Sequence, residues 1–155
     1  MTARADMFAI GSRLVGTAEL PGGEDHPMIQ WALMLSGFGS HASDETAWCS
    51  AFVNLLAYLT GSQRSHSAAA RSWLKVGVDW PLMQAELGDV VVLKRGDGPQ
   101  PGPEVLDAQG HVGLYAGAGD GPDGAGLVKL LGGNQHDQVS VSTFHVERIL
   151  GIRRI

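Results

Sequence analysis

The chain contains 155 residues, of which 44% are hydrophobic and 17% are charged, and this balance is ordinary for one globular domain over residues 1–155. Its formal net charge of -5 argues against a nucleic acid or an anionic membrane surface as a partner held by charge. The single cysteine excludes an intramolecular disulfide. Because no apolar stretch is long enough to span a bilayer, we expect no membrane insertion.

Apolar residues recur at helical spacing in four segments of the first half. The predicted helices cover residues 5–15 and 68–76 and two segments that begin at Pro27 and Cys49 and end at Gly37 and Gly61. In the second helix, the face expected to be buried carries Met28, Trp31, Ala32 and Leu35. Ser67 is expected to cap the fourth helix.

Apolar runs bounded by glycine and proline predict strands in the second half. The predicted strands cover residues 90–93, 112–116, 127–131, 139–141 and 149–153. Loops rich in glycine and proline are expected at residues 96–103 and 117–126. Helices followed by strands indicate an α+β fold, in which an antiparallel sheet packs against the helix that carries the cysteine.

Cys49 lies at the predicted N-terminus of the third helix, after the polar residues Asp44 and Glu45. Free backbone N–H groups and the helix dipole at this position favour the thiolate, which is the nucleophilic form of cysteine. We therefore expect Cys49 to be a catalytic nucleophile, with Asp44 as the helix N-cap. The alternative is that Cys49 is a small apolar residue of the core.

A thiol nucleophile needs a base, and the base needs an orienting partner. His111 begins a predicted strand that is expected to face the cysteine helix, although a solvated histidine at a strand edge has the same pattern. If strands 112–116 and 127–131 pair antiparallel, Asn134 lies near His111, and its side-chain oxygen accepts from a ring nitrogen. Gln135 and His136 are alternatives for this role, and Asn134 also suits a simple turn.

The motifs occur in a distinctive order: a cysteine, Gly-Asp before an apolar strand, Gly-His-Val-Gly, and a strand that ends in asparagine. This order resembles the papain-like cell-wall hydrolases of the CHAP and NlpC type, and especially a small bacterial and phage-associated branch of them. The resemblance implies a papain-like fold with Cys49 as nucleophile, His111 as base and Asn134 as third residue. Many CHAP proteins carry an acid at the position of Gly132, and some NlpC-type proteins use a second histidine, for which His136 is available.

The resemblance also implies amide hydrolysis through a thioester, with the peptide part of bacterial peptidoglycan as the substrate. The Cys49 thiolate attacks the carbonyl carbon, the backbone N–H of Cys49 holds the oxyanion, and His111 protonates the leaving amine. Such an endopeptidase or amidase needs no cofactor and no metal, because the thiol supplies the nucleophile. A cation site at Asp44 and Glu45 is not expected, because the alternating acidic ligands of a calcium loop are missing.

Delivery and partners follow from the same interpretation. No signal peptide is recognisable at the N-terminus, which predicts synthesis in the cytoplasm and delivery to the periplasm or cell wall by phage lysis or a secretion system. The expected partners of this monomer are peptidoglycan, the delivery machinery and an inhibitor protein. Two other functions are open from the sequence: a non-catalytic module of the cell wall or a phage particle, and an intracellular papain-like amide hydrolase.

Overall fold

The computed structural model describes residues 2–22, 24–38, 47–96, 98–120 and 126–155. Within these ranges, three α-helices come first, and they are α1 (Ala3–Arg13), α2 (Pro27–Leu35) and α3 (Cys49–Leu59). The same ranges contain six strands, which are β1 (Val78–Asp79), β2 (Val90–Lys94), β3 (Gly110–Ala118), β4 (Leu127–Gly132), β5 (Ser140–His145) and β6 (Ile149–Arg154). Short 3₁₀ helices cover Ala70–Lys75, Leu82–Gln84 and Val146–Arg148.

The strands form a single sheet in the order β1-β6-β2-β3-β4-β5, and every neighbouring pair is antiparallel. α3 packs on one face of this sheet, against β3 and β4, and α1 and α2 contact α3. The predicted α+β fold, with an antiparallel sheet against the cysteine helix, is confirmed. No helix in the described part of the chain combines the length and the apolar character needed to cross a lipid bilayer.

Side chains of β3 alternate between the two faces of the sheet, and this alternation positions the candidate residues. Val112 and Leu114 are fully buried in one apolar cluster with Phe52 of α3. His111 is paired with Leu93 of β2, whose side chain belongs to a second cluster on the other face. The imidazole of His111 therefore lies on the face directed away from α3.

The fourth predicted helix, over residues 68–76, is a 3₁₀ helix that covers only Ala70–Lys75. Ser67 precedes it, and its Oγ accepts a hydrogen bond from the N–H of Ala69 at 3.1 Å. The side chains of Arg71 and Trp73 are both buried, and both donate hydrogen bonds to other segments. Arg71 and Trp73 are two positions apart, and such residues do not lie on the same face of an α-helix. Burial of both side chains therefore favours the more tightly wound 3₁₀ helix.

α2 begins at the predicted proline, and its predicted buried face is confirmed in part, because Ala32 is buried and Met28 and Leu35 pack against the core. Ile29 and Leu33 are fully buried, whereas Trp31 is 43% exposed. The indole of Trp31 packs edge-on against the ring of Tyr58 in α3, with the two centroids 5.9 Å apart. Every residue of this helix but one is apolar, so its spacing does not select a face, and packing against α3 makes the choice.

Strand positions agree with the prediction in the interior of the sheet and differ at its edges. β2, β3, β4 and β6 contain the predicted segments, with slightly different ends. The edge strand β1 was not predicted, and the other edge strand, β5, covers Ser140–His145 rather than residues 139–141. Both edges carry exposed residues and therefore lack the apolar run that marks a buried strand.

Asp89 connects both ends of the described chain to the sheet. Its carboxylate is fully buried and accepts hydrogen bonds from Arg154 Nε at 2.9 Å, Arg154 Nη2 at 2.7 Å and Arg4 Nη1 at 3.3 Å. The backbone N–H of Glu86 donates to the same carboxylate at 2.8 Å. The guanidinium of Arg154 also lies over the Trp80 ring, 3.9 Å from its centroid. One buried carboxylate thus holds α1, β6 and the turn before β2 together.

We expect Asp89→Asn to lower the free energy of unfolding by about 3 kcal/mol, because it leaves buried donors without their charged acceptor. The control is Asp79→Asn, which removes an exposed ion pair to Arg153 at 3.3 Å and should cost less than about 1 kcal/mol. Urea unfolding monitored by circular dichroism measures both changes. Equal costs for the two variants would contradict the anchoring role of Asp89.

Candidate functional site

The start of α3 lies against the end of β4, and the contact leaves no room for a side chain at Gly133. A Cβ atom built at Gly133 would lie 2.5 Å from the Trp48 ring and 2.7 Å from Phe52 Cβ. Trp48 is fully buried, and its indole N–H donates to Glu19 Oε1 at 2.8 Å. This packing fixes the first turn of α3 beside the turn that follows β4.

Hydrogen bonds fix the first turns of α3 from the other side. Ser50 Oγ donates to the Ser67 carbonyl at 2.6 Å and accepts from the indole N–H of Trp73 at 2.9 Å. The fully buried Asn54 donates to the same carbonyl at 3.1 Å and accepts from the N–H of His66 at 3.1 Å. Because these buried polar groups are paired, the helix start has one well-determined position.

The thiol of Cys49 is buried, with 4% of the residue exposed. Burial raises the pKa of the thiol, while backbone N–H groups of Val112, Ser50 and Cys49, and the charge of Arg95, act in the opposite direction. The N–H groups at the helix N-terminus thus favour the thiolate as expected, but desolvation is the larger effect and the net pKa is raised. Burial therefore favours the neutral thiol of Cys49.

The ring of His111 is held by Gln135. His111 Nε2 lies 3.0 Å from Gln135 Oε1. The amide nitrogen of Gln135 donates to the carbonyls of Ser140 at 2.7 Å and Leu130 at 3.3 Å, so the amide oxygen must point at the ring. His111 Nε2 is therefore the N–H donor, and Nδ1 carries the lone pair of a potential base.

The hydrogen bond that the sequence analysis expected from Asn134 is made by Gln135 instead. Asn134 adopts a positive φ of 56° in the turn after β4, which is the turn use of asparagine considered from the sequence. Gln135 reaches the ring because Gly132 has no side chain: a Cβ there would lie 2.7 Å from Gln135 Oε1. The sequence feature that could have indicated Gln135 is therefore Gly132. Many CHAP proteins carry an acid at this strand position, and the glycine leaves the space that the amide of Gln135 occupies.

The structure places Cys49 and His111 on two sides of the beginning of β3. Cys49 lines a cavity of about 200 Å³, and His111 lines another of about 370 Å³. The backbone N–H of Val112, the residue after His111, acts to lower the pKa of the thiol, but the described residues include no hydrogen bond between thiol and imidazole. The histidine strand therefore faces the cysteine helix through Val112, and not through the imidazole as expected. Arg95 lines both cavities.

The environment of His111 favours the neutral imidazole. Burial lowers the pKa of His111, the hydrogen bond to Gln135 raises it, and the charges of Arg95 and Arg148 lower it further. The ring also packs against Phe144, with centroids 5.4 Å apart. Desolvation thus favours the uncharged form of both groups, the thiol of Cys49 and the imidazole of His111.

The loop before His111 is held by one buried side chain, Arg71. Its guanidinium donates to four backbone carbonyls, which belong to Gln109 at 2.8 Å, Gly102 at 2.7 Å, and Pro101 and Val105 at 3.1 Å. Arg71 is fully buried. The segment that leads into β3, and with it the position of the imidazole, therefore depends on a single side chain from the 3₁₀ helix Ala70–Lys75.

The described ranges contain no group of three histidine, cysteine, aspartate or glutamate side chains that could hold a metal ion. Asp44 and Glu45, which the sequence analysis considered for capping and for a cation, lie outside those ranges. Trp48 precedes α3 and gives the helix no side-chain cap. His136 is exposed, with a positive φ of 56° in the turn after β4.

We expect Gln135→Leu to lower the pKa of His111 further, because the hydrogen bond that supports the charged ring is lost. Asn134→Ala should leave this pKa unchanged. NMR titration of the ring nitrogens in both variants measures the shift and reports which nitrogen carries the proton. A shift in Asn134→Ala without one in Gln135→Leu would return the orienting role to Asn134.

Burial of His111 also predicts a dependence of stability on pH. Because the folded-state pKa of His111 lies below its ordinary value of 6.5, its contribution to stability is complete above that value and is lost as the pH falls through it toward the folded-state pKa. Between about pH 7 and pH 5, the free energy of unfolding of wild type should fall more steeply with pH than that of His111→Gln. The extra slope corresponds to the uptake of up to one additional proton by the unfolded chain. Urea unfolding at several pH values tests this, with the exposed His145→Gln as control.

Comparison with known proteins gives structural but no sequence matches: neither a protein-family model nor a curated protein matches the sequence. The P60 domain of antigen MAP1272c from M. avium paratuberculosis has a TM-score of 0.55 and 18% identity, over 99% of this chain and 93% of its own. The P60 domain of antigen MAP1204 from the same organism has a TM-score of 0.54 and 18% identity, over 99% and 94%.

A third structure is RipD from Mycobacterium tuberculosis, with a TM-score of 0.54 and 21% identity over 100% of this chain and 98% of its own. RipD is described as a non-catalytic NlpC/p60 domain protein with an adaptation to peptidoglycan binding. All three similarities extend over nearly the whole of both chains, so they concern the complete fold rather than a shared substructure. The protein thus has the α+β fold of the NlpC/P60 domains.

Proposed function

We propose that the protein is a cysteine-dependent peptidoglycan hydrolase that cleaves amide bonds in the peptide part of the bacterial cell wall. In this proposal Cys49 is the nucleophile, His111 is the base, and Gln135 orients the imidazole. One observation carries the proposal: the buried Cys49 packs in one cluster with Val112, the neighbour of the histidine whose Nε2 is held by Gln135. The NlpC/P60 fold supports the substrate class, because one protein with this fold is described as peptidoglycan-binding.

The proposed mechanism begins from a neutral thiol and a neutral imidazole. The thiol proton passes to His111 Nδ1 as the sulfur attacks the carbonyl carbon, because burial disfavours a free thiolate before attack. The N–H groups at the first turn of α3 stabilise the oxyanion, and His111 then protonates the leaving amine. Water hydrolyses the thioester, with His111 again as base. Gln135 keeps the proton on Nε2, so that Nδ1 is the nitrogen that takes up and gives back the transferred proton.

A second candidate function, a non-catalytic module that binds peptidoglycan, is favoured by two observations. RipD has a similar fold and is described as non-catalytic. In addition, the imidazole of His111 lies on the sheet face away from α3, and the described residues include no hydrogen bond from it to Cys49. Binding of peptidoglycan without release of fragments is the property that distinguishes this candidate from the hydrolase.

Incubation with purified peptidoglycan, followed by mass spectrometry of the released fragments, tests the proposal. We expect Cys49→Ala and His111→Ala each to lower fragment release by roughly a thousandfold or more, since the two groups act as one unit. The matched control is His145→Ala, an exposed histidine at the end of β5. Activity should survive EDTA and disappear on alkylation of the thiol, because the nucleophile is sulfur and not a metal hydroxide.

The outcomes separate the two candidate functions. A folded wild-type chain that sediments with peptidoglycan but releases no fragment assigns the non-catalytic function. Undiminished release by folded Cys49→Ala would refute a thiol nucleophile altogether. The masses of the fragments also identify the bond that is cleaved, and therefore distinguish an endopeptidase from an amidase.

A further inference from the structure

We propose that the free edge of β5 pairs with β5 of a second copy of this chain, so that the two sheets join into one continuous antiparallel sheet. This dimer differs from the monomer expected from the sequence, because composition carries no information about an open sheet edge. The pairing goes beyond the proposed function and does not depend on it. The backbone hydrogen bonds, the composition and the exposure of β5 support it.

The two edge strands of the sheet differ in length and in protection. β1 has only two residues, and Asp79 in it forms an ion pair with Arg153 of the neighbouring strand. β5 has six residues, and its pairing with β4 is regular along its whole length. β5 contains no lysine, arginine, acid or proline, which are residues that keep sheet edges from pairing with other chains. Its sequence therefore does not oppose the addition of another strand.

Alternate residues of β5 direct their backbone groups away from β4. The N–H of Val146 donates to the Gly126 carbonyl, next to β4, at 2.9 Å, so even-numbered residues face β4 and odd-numbered residues face outward. Val139, which precedes β5, agrees with this pattern. Its N–H donates to the Thr17 carbonyl at 2.8 Å, and its carbonyl accepts from the N–H of Gly16 at 2.9 Å. At this one residue, the chain itself already pairs with the outer edge.

Beyond Val139 the outer edge is open. The next outward N–H and C=O groups belong to Val141, Thr143 and His145, and all three residues are exposed. Within the described ranges, no residue makes a hydrogen bond with these outward groups. Another strand is the partner that pairs all of them at once, because only a strand repeats its donors and acceptors at the same spacing.

A second copy of β5 uses every open group in one register. With Thr143 opposite Thr143 of the second copy, Val141 lies opposite His145, and each open residue forms a pair with two hydrogen bonds. A shift by one pair leaves an open residue of each chain unpaired, and in one direction His145 meets Val139, whose groups are already bonded. Because β5 carries no lysine, arginine or acid, the two-fold symmetric pairing brings no such like charges together.

The symmetry of this pairing places both candidate sites on one side of the joined sheet, since the two-fold axis of an antiparallel pair is perpendicular to the sheet. His111 lies on the face away from α3, and Ser142 and Phe144 of β5 line the cavity beside it. β3 and its copy are five strand spacings apart, which is roughly 24 Å. Two sites at this separation suit a polymeric substrate, because binding at one site raises the effective concentration at the other. This use of the dimer, unlike the dimer itself, rests on the proposed function.

Sedimentation equilibrium tests the dimer, at concentrations up to about 1 mM because one strand pair makes a small interface. The apparent mass should rise from 16.3 kDa toward twice that value. Thr143→Lys places two ammonium groups opposite each other, and it should weaken dimerisation by about fivefold or more. Thr143→Val should leave the dimer intact. A wild-type chain that stays at 16.3 kDa throughout would overturn the proposal.

The matched control is Met83→Lys, which adds the same charge outside β5. Met83 is 94% exposed in the 3₁₀ helix Leu82–Gln84 and is the most exposed large apolar residue among those described. The control should not change dimerisation. A dimer that Met83→Lys dissociates and Thr143→Lys does not would refute the β5 interface, because the apolar surface around Met83 would then be the contact.

Cysteine substitutions test the register, in a Cys49→Ala background that removes the native thiol. Thr143→Cys brings two Cα atoms to about 5.5 Å, within the range of a disulfide, and oxidised glutathione should link the two chains. Val141→Cys should not link to itself, because its copy lies about 14 Å away along the strands, but it should link to His145→Cys in a mixture. Equal self-linking of all three single variants would overturn the proposed register.

Binding to the cell wall separates the dimer from the proposed function. For Thr143→Lys, the ratio of the affinities for whole peptidoglycan and for a soluble stem peptide should fall by about tenfold relative to wild type, because one site alone gains no avidity. A wild-type dimer that binds neither ligand would refute the proposed function and leave the dimer established. An unchanged ratio in the monomeric variant would overturn the joint use of the two sites.

Discussion

The close approach of Gly133 to the first turn of α3 is the constraint on which the candidate site depends. Only a hydrogen atom fits between this backbone and the side chains of Trp48 and Phe52. The same contact therefore fixes the position of the thiol and starts the turn from which Gln135 reaches the imidazole. Two consecutive glycines therefore allow two close approaches. Gly133 leaves space for the side chains at the start of α3, and Gly132 leaves space for the amide of Gln135.

Desolvation, and not the helix dipole, dominates the electrostatics of the candidate nucleophile. A thiol at a helix N-terminus gains from nearby N–H groups, but complete burial opposes any charge on sulfur, and here burial is the larger effect. Desolvation also acts on His111, where it lowers the pKa of the imidazole because the charged form of histidine is the protonated one. Burial thereby favours the neutral form of both groups, and neither a free thiolate nor an imidazolium is stabilised.

The fold class, and the places of Cys49 at a helix start and of His111 near a strand start, could be predicted from the sequence because local patterns encode them. Apolar runs mark the interior strands, and glycines and proline mark helix ends. The exposure of Trp31 in α2 could not be predicted, since almost every residue of this helix is apolar and the indole packs at the surface against Tyr58. Gln135 could not be chosen over Asn134 either, because the choice depends on a φ of 56° and on the space left by Gly132.

The buried guanidinium of Arg71 has a consequence for how this protein can evolve. It recognises the loop at residues 101–109 through carbonyl oxygens alone, which every amino acid supplies. The side chains of the loop are therefore free to diverge between related proteins while the path of its backbone is retained. The surface chemistry of this loop can therefore change without moving the strand that carries His111.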